Sequence, residues 1–214
     1  MKAHIVTLAS VIVAAGAGAM NAIDANGVGK EIGTLRLSDT KEGLEITPGL
    51  ARLPPGDHGF HVHVNPNCGP GNGPNGQPAA GVAAGGHYDP ANTGKHLGPH
   101  GEGHKGDLPA LTVDASGETT KGVVAPHLTV ADIKGRSIII HAGADNYSDQ
   151  PAPLGGGGAR IACGVAKQSS MCTGQRRCSY RHICASGSVV PSPWLTKIKL
   201  KVTESKCVTL SERD

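Results

Sequence analysis

With 214 residues and 38% apolar content, the chain has room for one domain with a buried core and length left over for an extension. Aromatic residues make up only 2%, with Phe60 the sole phenylalanine, while 32 glycines and 15 prolines argue against a helical bundle and for an all-β domain with many turns and long loops. The net charge of +3 is unevenly spread: residues 1–167 carry 12 Lys and Arg against 14 Asp and Glu, the remainder 8 against 3, so the total is no nucleic-acid footprint.

At the N-terminus Lys2, the apolar run Ile5 to Ala15 and Ala17-Gly18-Ala19 have the charge, length and small residues of a secretory signal. The run is too short to span a bilayer. The expectation is export, cleavage after Ala19, no membrane attachment thereafter, and a first strand confined to Met20 to Asp24. Export places six cysteines in an oxidising compartment, where 15 pairings are open.

Short β-branched or alternating runs then recur between Gly, Pro, Asn and Asp: Glu31 to Leu37, Gly43 to Thr47, Gly59 to Val64, Leu108 to Val113, Val123 to Ala125, Arg136 to His141 and Ala159 to Val165. Strands punctuated in this way predict an antiparallel sandwich or barrel. Two Gly-rich connections, Asn65 to Gly106 and Ala142 to Gly158, are too long for hairpin turns, and loops beyond about 15 residues in a compact domain are usually functional. Gly155 to Gly158 is not followed by the lysine and helix start of a phosphate-binding loop.

On a strand, residues two apart share a face, so His61 and His63 project together while Phe60, Val62 and Val64 are expected to face the core. Two imidazoles on one face can grip one metal, although ordinary surface strands also carry such pairs. His141 closes the apolar strand 137–140 and can add an imidazole or serve as a satisfied core residue. His96, His104 and Asp107 lie in a glycine-rich loop, either as nitrogen and oxygen donors suited to zinc or as part of a solvated polar loop. Arg160, a permanent cation three residues before Cys163, suits a surface salt bridge on its own terms.

Read together, Gly59-Phe60-His61-Val62-His63, Gly85-Gly86-His87-Tyr88-Asp89-Pro90, Gly94-Lys95-His96-Leu97-Gly98-Pro99, Gly103-His104-Lys105-Gly106-Asp107-Leu108-Pro109, His141-Ala142-Gly143-Ala144-Asp145-Asn146 and the segment from Pro153 to Gly164 resemble the copper/zinc superoxide dismutases, specifically the exported bacterial branch. The resemblance runs from about Asn21 to Val165. It implies a Greek-key antiparallel β-barrel or sandwich with two long functional loops. It also implies copper bound by His61, His63, His87 and His141, and zinc bound by His87, His96, His104 and Asp107, with His87 shared between them and acting in proton transfer. By the same resemblance, Asp145 links His61 to His96, Cys68 pairs with Cys163, and Arg160 guides superoxide to copper. A periplasmic or otherwise exported enzyme follows, as homodimer or monomer, with no nucleic-acid partner.

The implied division is a signal over residues 1–19, the enzyme domain over 20–167, and a basic extension over 168–214. That extension lies outside the resemblance. It carries Cys172, Cys178, Cys184 and Cys207 in no recognised zinc pattern and is expected to be a poorly ordered appendage. Val64 stands where relatives commonly have an acidic residue, Gly69 to Gly85 resembles a bacterial loop insertion, and His58, His100 and His127 match no ligand position and are expected at the surface. The alternative reading is a non-catalytic copper/zinc-binding or copper-delivery module on the same fold, which has no need of His87, Asp145 and Arg160 together. A zinc hydrolase needs an open zinc position, and the implied zinc set already has four protein donors.

Overall fold

The computed structural model describes residues 14–119 and 121–167, together with three short strands at 183–184, 201–202 and 207–209. Chain order begins with β1 (Ala14–Asp24), β2 (Gly27–Thr40), β3 (Gly43–Leu50), β4 (Gly56–His58) and β5 (Phe60–His63). Two two-residue strands follow inside the first long loop, β6 (Gly71–Asn72) and β7 (Pro78–Ala79), and then β8 (Leu111–Val113) and β9 (Val123–Ala125). One helical turn, α1 (Val130–Ile133), precedes β10 (Ser137–His141) and β11 (Arg160–Val165).

Seven strands form one antiparallel sheet in the order β5-β10-β11-β1-β2-β3-β9. The meander β1-β2-β3 turns first where Asp24 Oδ1 accepts from the amides of Asn26 and Gly27, a side-chain mimic of a backbone turn. β11 then returns across the domain to lie between β1 and β10, which makes the connection a Greek key. Beyond β5 the hydrogen bonding continues through the β4-β8 ladder, and Thr119 exchanges backbone and hydroxyl bonds with Leu50 of β3, so the sheet curls on itself.

Alternation decides which side chains are inside. Leu35 and Leu37 of β2 are buried between exposed Thr34 and Arg36, and they meet Phe60, Val62, Ile138 and Ile140 in the main core. The opposite face of β10 carries Ile139, which packs with Ile23, Ala84 and Cys163 beneath the long loop. Both faces of β10 are therefore covered, and the strand reads as an unbroken apolar run ending in His141.

The expected elements appear with three differences. β1 begins at Ala14 rather than Met20, its residues 14–20 pairing with Gly33 to Ser38 of β2. Val64 is 43% exposed instead of facing the core, because β5 ends at His63 and the Val64 amide turns to the Gly86 carbonyl at 3.1 Å, starting the loop. His58, expected at the surface, is buried, its ring nitrogens against the carbonyl oxygens of His141 at 2.7 Å and Pro54 at 2.8 Å. His100 and His127 are exposed, as expected.

The chain divides into two units, Met1–Ser169 and Ser170–Asp214. In the second, β12 (Ile183–Cys184), β13 (Lys201–Val202) and β14 (Cys207–Thr209) pair antiparallel in the order β12-β14-β13. The rest of the extension, with Cys172 and Cys178, and the signal-like residues before Ala14 lie outside the described residues. Among the described residues no helix is long and apolar enough to cross a membrane.

Candidate metal centre

The centre assembles on the face of β5 that turns away from the main core. His61 and His63 share that face, and Ile139 and Ser137 of β10 lie opposite them, so His141 enters from the end of the neighbouring strand. The long loop then folds back over β5. Backbone bonds Val62 N to Gly106 O at 2.9 Å, Tyr88 N to Val62 O at 2.8 Å and Gly106 N to Tyr88 O at 2.8 Å hold two distant loop segments against one strand. The same docking makes His63 pair with His87 and His61 with Asp107. His96, on the same loop, is anchored to the second loop, its amide donating to Asp149 Oδ2 at 2.9 Å.

Two sets of donor atoms result, each with all its atoms within 4.8 Å of one another: His61, His63, His87 and His141, and His61, His87, His96 and Asp107. The His61 and His87 rings stack with centroids 4.0 Å apart, so the sets are contiguous. His104 stands slightly outside the second set, with Nδ1 3.5 Å from Asp107 Oδ1 and its ring 5.3 Å from that of His87. Thus all seven donors expected from the sequence converge.

Hydrogen bonding shows which atoms are spoken for. His61 uses Nε2 toward Asp145, His63 uses Nδ1 toward Gly85 O, and His141 uses Nδ1 toward Gly158 O. That leaves His61 Nδ1, His63 Nε2 and His141 Nε2 buried without a partner, together with Nδ1 of His96, Nδ1 of His104 and Oδ2 of Asp107. These are six of the seven such atoms among the described residues. Buried polar atoms are nearly always satisfied, so orphans gathered at one place call for an absent partner that accepts several lone pairs. A cation fits: an all-imidazole group suits copper, and three imidazoles with a carboxylate suit zinc. His96 Nδ1 and Asp107 Oδ2 are 2.9 Å apart yet misaligned for a hydrogen bond, so neither is satisfied by the other.

Electrostatics keeps the first group ready to bind. Burial lowers the pKa of His61 and of His63, that of His87 to about 4 and that of His141 to about 3, so these rings are neutral at pH 7 and offer lone pairs. His96 goes the other way. Burial opposes its charge, but the flanking carboxylates of Asp107 and Asp145 outweigh burial and raise it to about 9. Those carboxylates are held well below their usual range despite burial, Asp107 by His87 and His96, Asp145 by His61 and His96. Filling the second group therefore displaces a proton from His96.

Asp145 spans the two groups, its Oδ2 2.7 Å from His61 Nε2 and its Oδ1 2.8 Å from His96 Nε2. Its own orientation is set by the Tyr147 amide at 2.7 Å. Gly155, at φ 74°, backs the same carboxylate, and a Cβ there would overlap Asp145 and lie 2.7 Å from His96 Nε2. Only glycine serves at this position.

Arg160 is opposite His141 in the β10-β11 ladder. Its guanidinium donates to Gly81 O at 2.6 Å and Gly85 O at 2.8 Å, and its charge contributes to lowering the pKa of His63 and His141. Among the described residues it makes no ion pair, where its charge alone suggested a surface salt bridge; its partners are backbone carbonyls. The Gly85 carbonyl accepts from both Arg160 and His63 Nδ1, so one peptide fixes the cation relative to the imidazole. The loop bearing that peptide is tied to β11 by a disulfide between Cys68 and Cys163.

Sequence reasoning missed the backbone and supporting partners. Gly81 and Gly85 carbonyls carry no residue-type signal. Asp149 had one: a carboxylate four residues after Asp145 in the same loop, which proves to accept from His96 N and from Leu154 N at 3.1 Å.

The copper/zinc superoxide dismutase (SODC) family profile matches residues 31–166. The chain is 49% identical over 174 residues to the copper/zinc superoxide dismutase of Escherichia coli (strain K12), covering 78% of this chain and all of the relative. It is 56% identical over 140 residues to that of Brucella abortus biovar 1, covering 65% of this chain and 80% of the relative. Among solved structures, the Brucella abortus enzyme superposes with TM-score 0.69 at 53% identity, covering 71% of this chain and 98% of that one. A monomeric enzyme from Salmonella enterica gives 0.65 at 53%, covering 72% and 100%.

Proposed function

This chain belongs to the copper/zinc superoxide dismutase family and converts two superoxide ions and two protons to dioxygen and hydrogen peroxide; from that premise we infer which of its residues carry the reaction. The observation that carries the reading is the cluster of orphaned donor atoms on His61, His63, His96, His104, Asp107 and His141. We assign copper to His61, His63, His87 and His141, and zinc to His87, His96, His104 and Asp107. When bound, copper supplies the one-electron exchange with superoxide and zinc supplies a fixed charge.

The protein's own groups do the rest. Arg160 draws the anion in and offers its guanidinium beside His63 and His141, on a domain whose residues 1–167 are net negative, so the attraction is local and directional. His87 is oriented by Asp107, whose Oδ1 lies 2.9 Å from Nδ1, which leaves Nε2 as the atom that holds and delivers a proton. Asp145 fixes the rings of His61 and His96 by engaging the nitrogen that each does not offer to a metal, the usual task of a carboxylate behind a ligating histidine. A delivery module requires donors alone; the arginine clamped beside the first group favours the enzyme.

Arg160→Ala tests the steering role. Turnover at low salt is expected to fall about tenfold and its dependence on ionic strength to flatten, with copper and zinc content unchanged. Loss of both metals in that variant would show a structural role instead.

We also propose that the chain is exported, residues 1–19 acting as the signal, in keeping with the bacterial relatives and with a disulfide that an oxidising compartment sustains; removal of the signal leaves Met20 to Asp24 of β1 to pair with β2 and β11. The enzyme domain is assigned to residues 20–167 and the basic extension to 168–214. Every residue assigned to the site comes from one chain, so a monomer and a homodimer carry the same centre.

A further inference from the structure

A groove of about 500 Å³ lies outside the second donor group, between the 90–105 loop and the turn after β9. His104 and Asp107 line it together with Glu102, Lys105, His127 and Leu128, whereas His61, His63, His141 and Arg160 do not. It thus reaches the centre through the zinc donors alone. Side-chain exposure there is graded: His96 and Asp107 at 0%, His87 at 1%, His104 at 9%. The His104 ring is the partition, its Nδ1 buried toward Asp107 and its outer edge toward the groove.

The mouth has the chemistry to collect a divalent cation. Glu102 and His127 are both exposed, a carboxylate and an imidazole of the types zinc accepts. Lys105, the one cation among these residues, is neutralised by Asp132 at 2.8 Å. On the other side of the centre Arg160, which among the described residues bonds to backbone carbonyls and to no carboxylate, repels cations.

We propose that zinc enters its site through this groove, captured first by Glu102 and His127 and passed inward past the His104 ring, without crossing the Arg160 side. Each donor replaces one water of the ion before the next is reached, and the one lysine on the groove wall, Lys105, is paired with Asp132. The proposal rests on the assignment of His104 and Asp107 as zinc donors.

The test follows metal uptake by the metal-free, full-length protein. Zinc sulfate alone is added at low ionic strength and free zinc is read with a chromogenic indicator; Cu(II) uptake is measured separately by visible absorption. The E102Q/H127N variant is expected to take up zinc about tenfold more slowly and with weaker salt dependence, since charge-lined clefts raise cation on-rates by at least that factor. Its final zinc content and its copper uptake rate match the unsubstituted protein. Zinc uptake at the unsubstituted rate overturns the route, and equal slowing of copper uptake overturns its separateness. Failure of the unsubstituted protein to take up zinc overturns the donor assignment itself, and the route with it.

Discussion

Replacing His87 with alanine is expected to lower superoxide turnover by about 10²- to 10⁴-fold, the range that a positioned acid or base contributes. In the proposed assignment His87 is the one ring common to both ligand sets; its centroid is 4.0 Å from that of His61 and its Nδ1 is 2.9 Å from Asp107 Oδ1. Its removal takes one donor from each set and deprives the site of the nitrogen that handles the proton. Zinc affinity should fall as well, since Asp107 then loses the partner that orients its Oδ1. The measurement is turnover by rapid-mixing superoxide decay, with both metals counted in the same sample. Turnover within a few-fold of the parent at full metal content would sink the proton-handling role. His100→Ala, at an exposed position, is the control and should behave as the parent.

The second large effect lies in the covalent tie between the long loop and β11. The double variant C68S/C163S opens a bridge between residues 95 apart in sequence, which in the chain-entropy account removes about 4 to 5 kcal/mol. For a domain of this size that corresponds to a fall in Tm of about 10 to 15 °C, best measured on metal-free protein so that metal binding does not mask it. A functional consequence accompanies the loss of stability. Gly81 and Gly85 lie in the tied loop and their carbonyls hold Arg160 and His63, so loosening the loop should release the guanidinium. Turnover should then lose part of its salt dependence even below the melting range. An unchanged Tm would contradict the first expectation, and an unchanged salt dependence the second.

Much of this was legible in the chain because it depends on residue type and spacing. The two-residue period placed His61 and His63 on one face, and the apolar run before His141 marked a strand. Short motifs then picked out the seven side chains that converge here, with Asp145 and Arg160 beside them. Other features depend on contacts that no local pattern encodes. His58 was expected at the surface because it matches no ligand position, yet the carbonyls of Pro54 and His141, the latter 83 positions away, satisfy its ring and permit burial. Val64 continued the alternation of Phe60 and Val62 in sequence, but the strand stops one residue earlier because the loop captures its amide. Arg160 illustrates the same limit. Its charge is plain in the sequence, whereas the backbone carbonyls that aim it come from a glycine-rich loop with no distinguishing side chain.

The central claim is that the clustered imidazoles and carboxylate form a working redox centre and not a metal store. The most direct measurement is cyanide-sensitive superoxide disproportionation by metal-replete protein, with copper and zinc determined in the same sample. Cyanide-sensitive activity with one copper and one zinc per chain is the predicted result. A protein holding one of each metal and showing no activity would contradict the account and leave a binding module in its place.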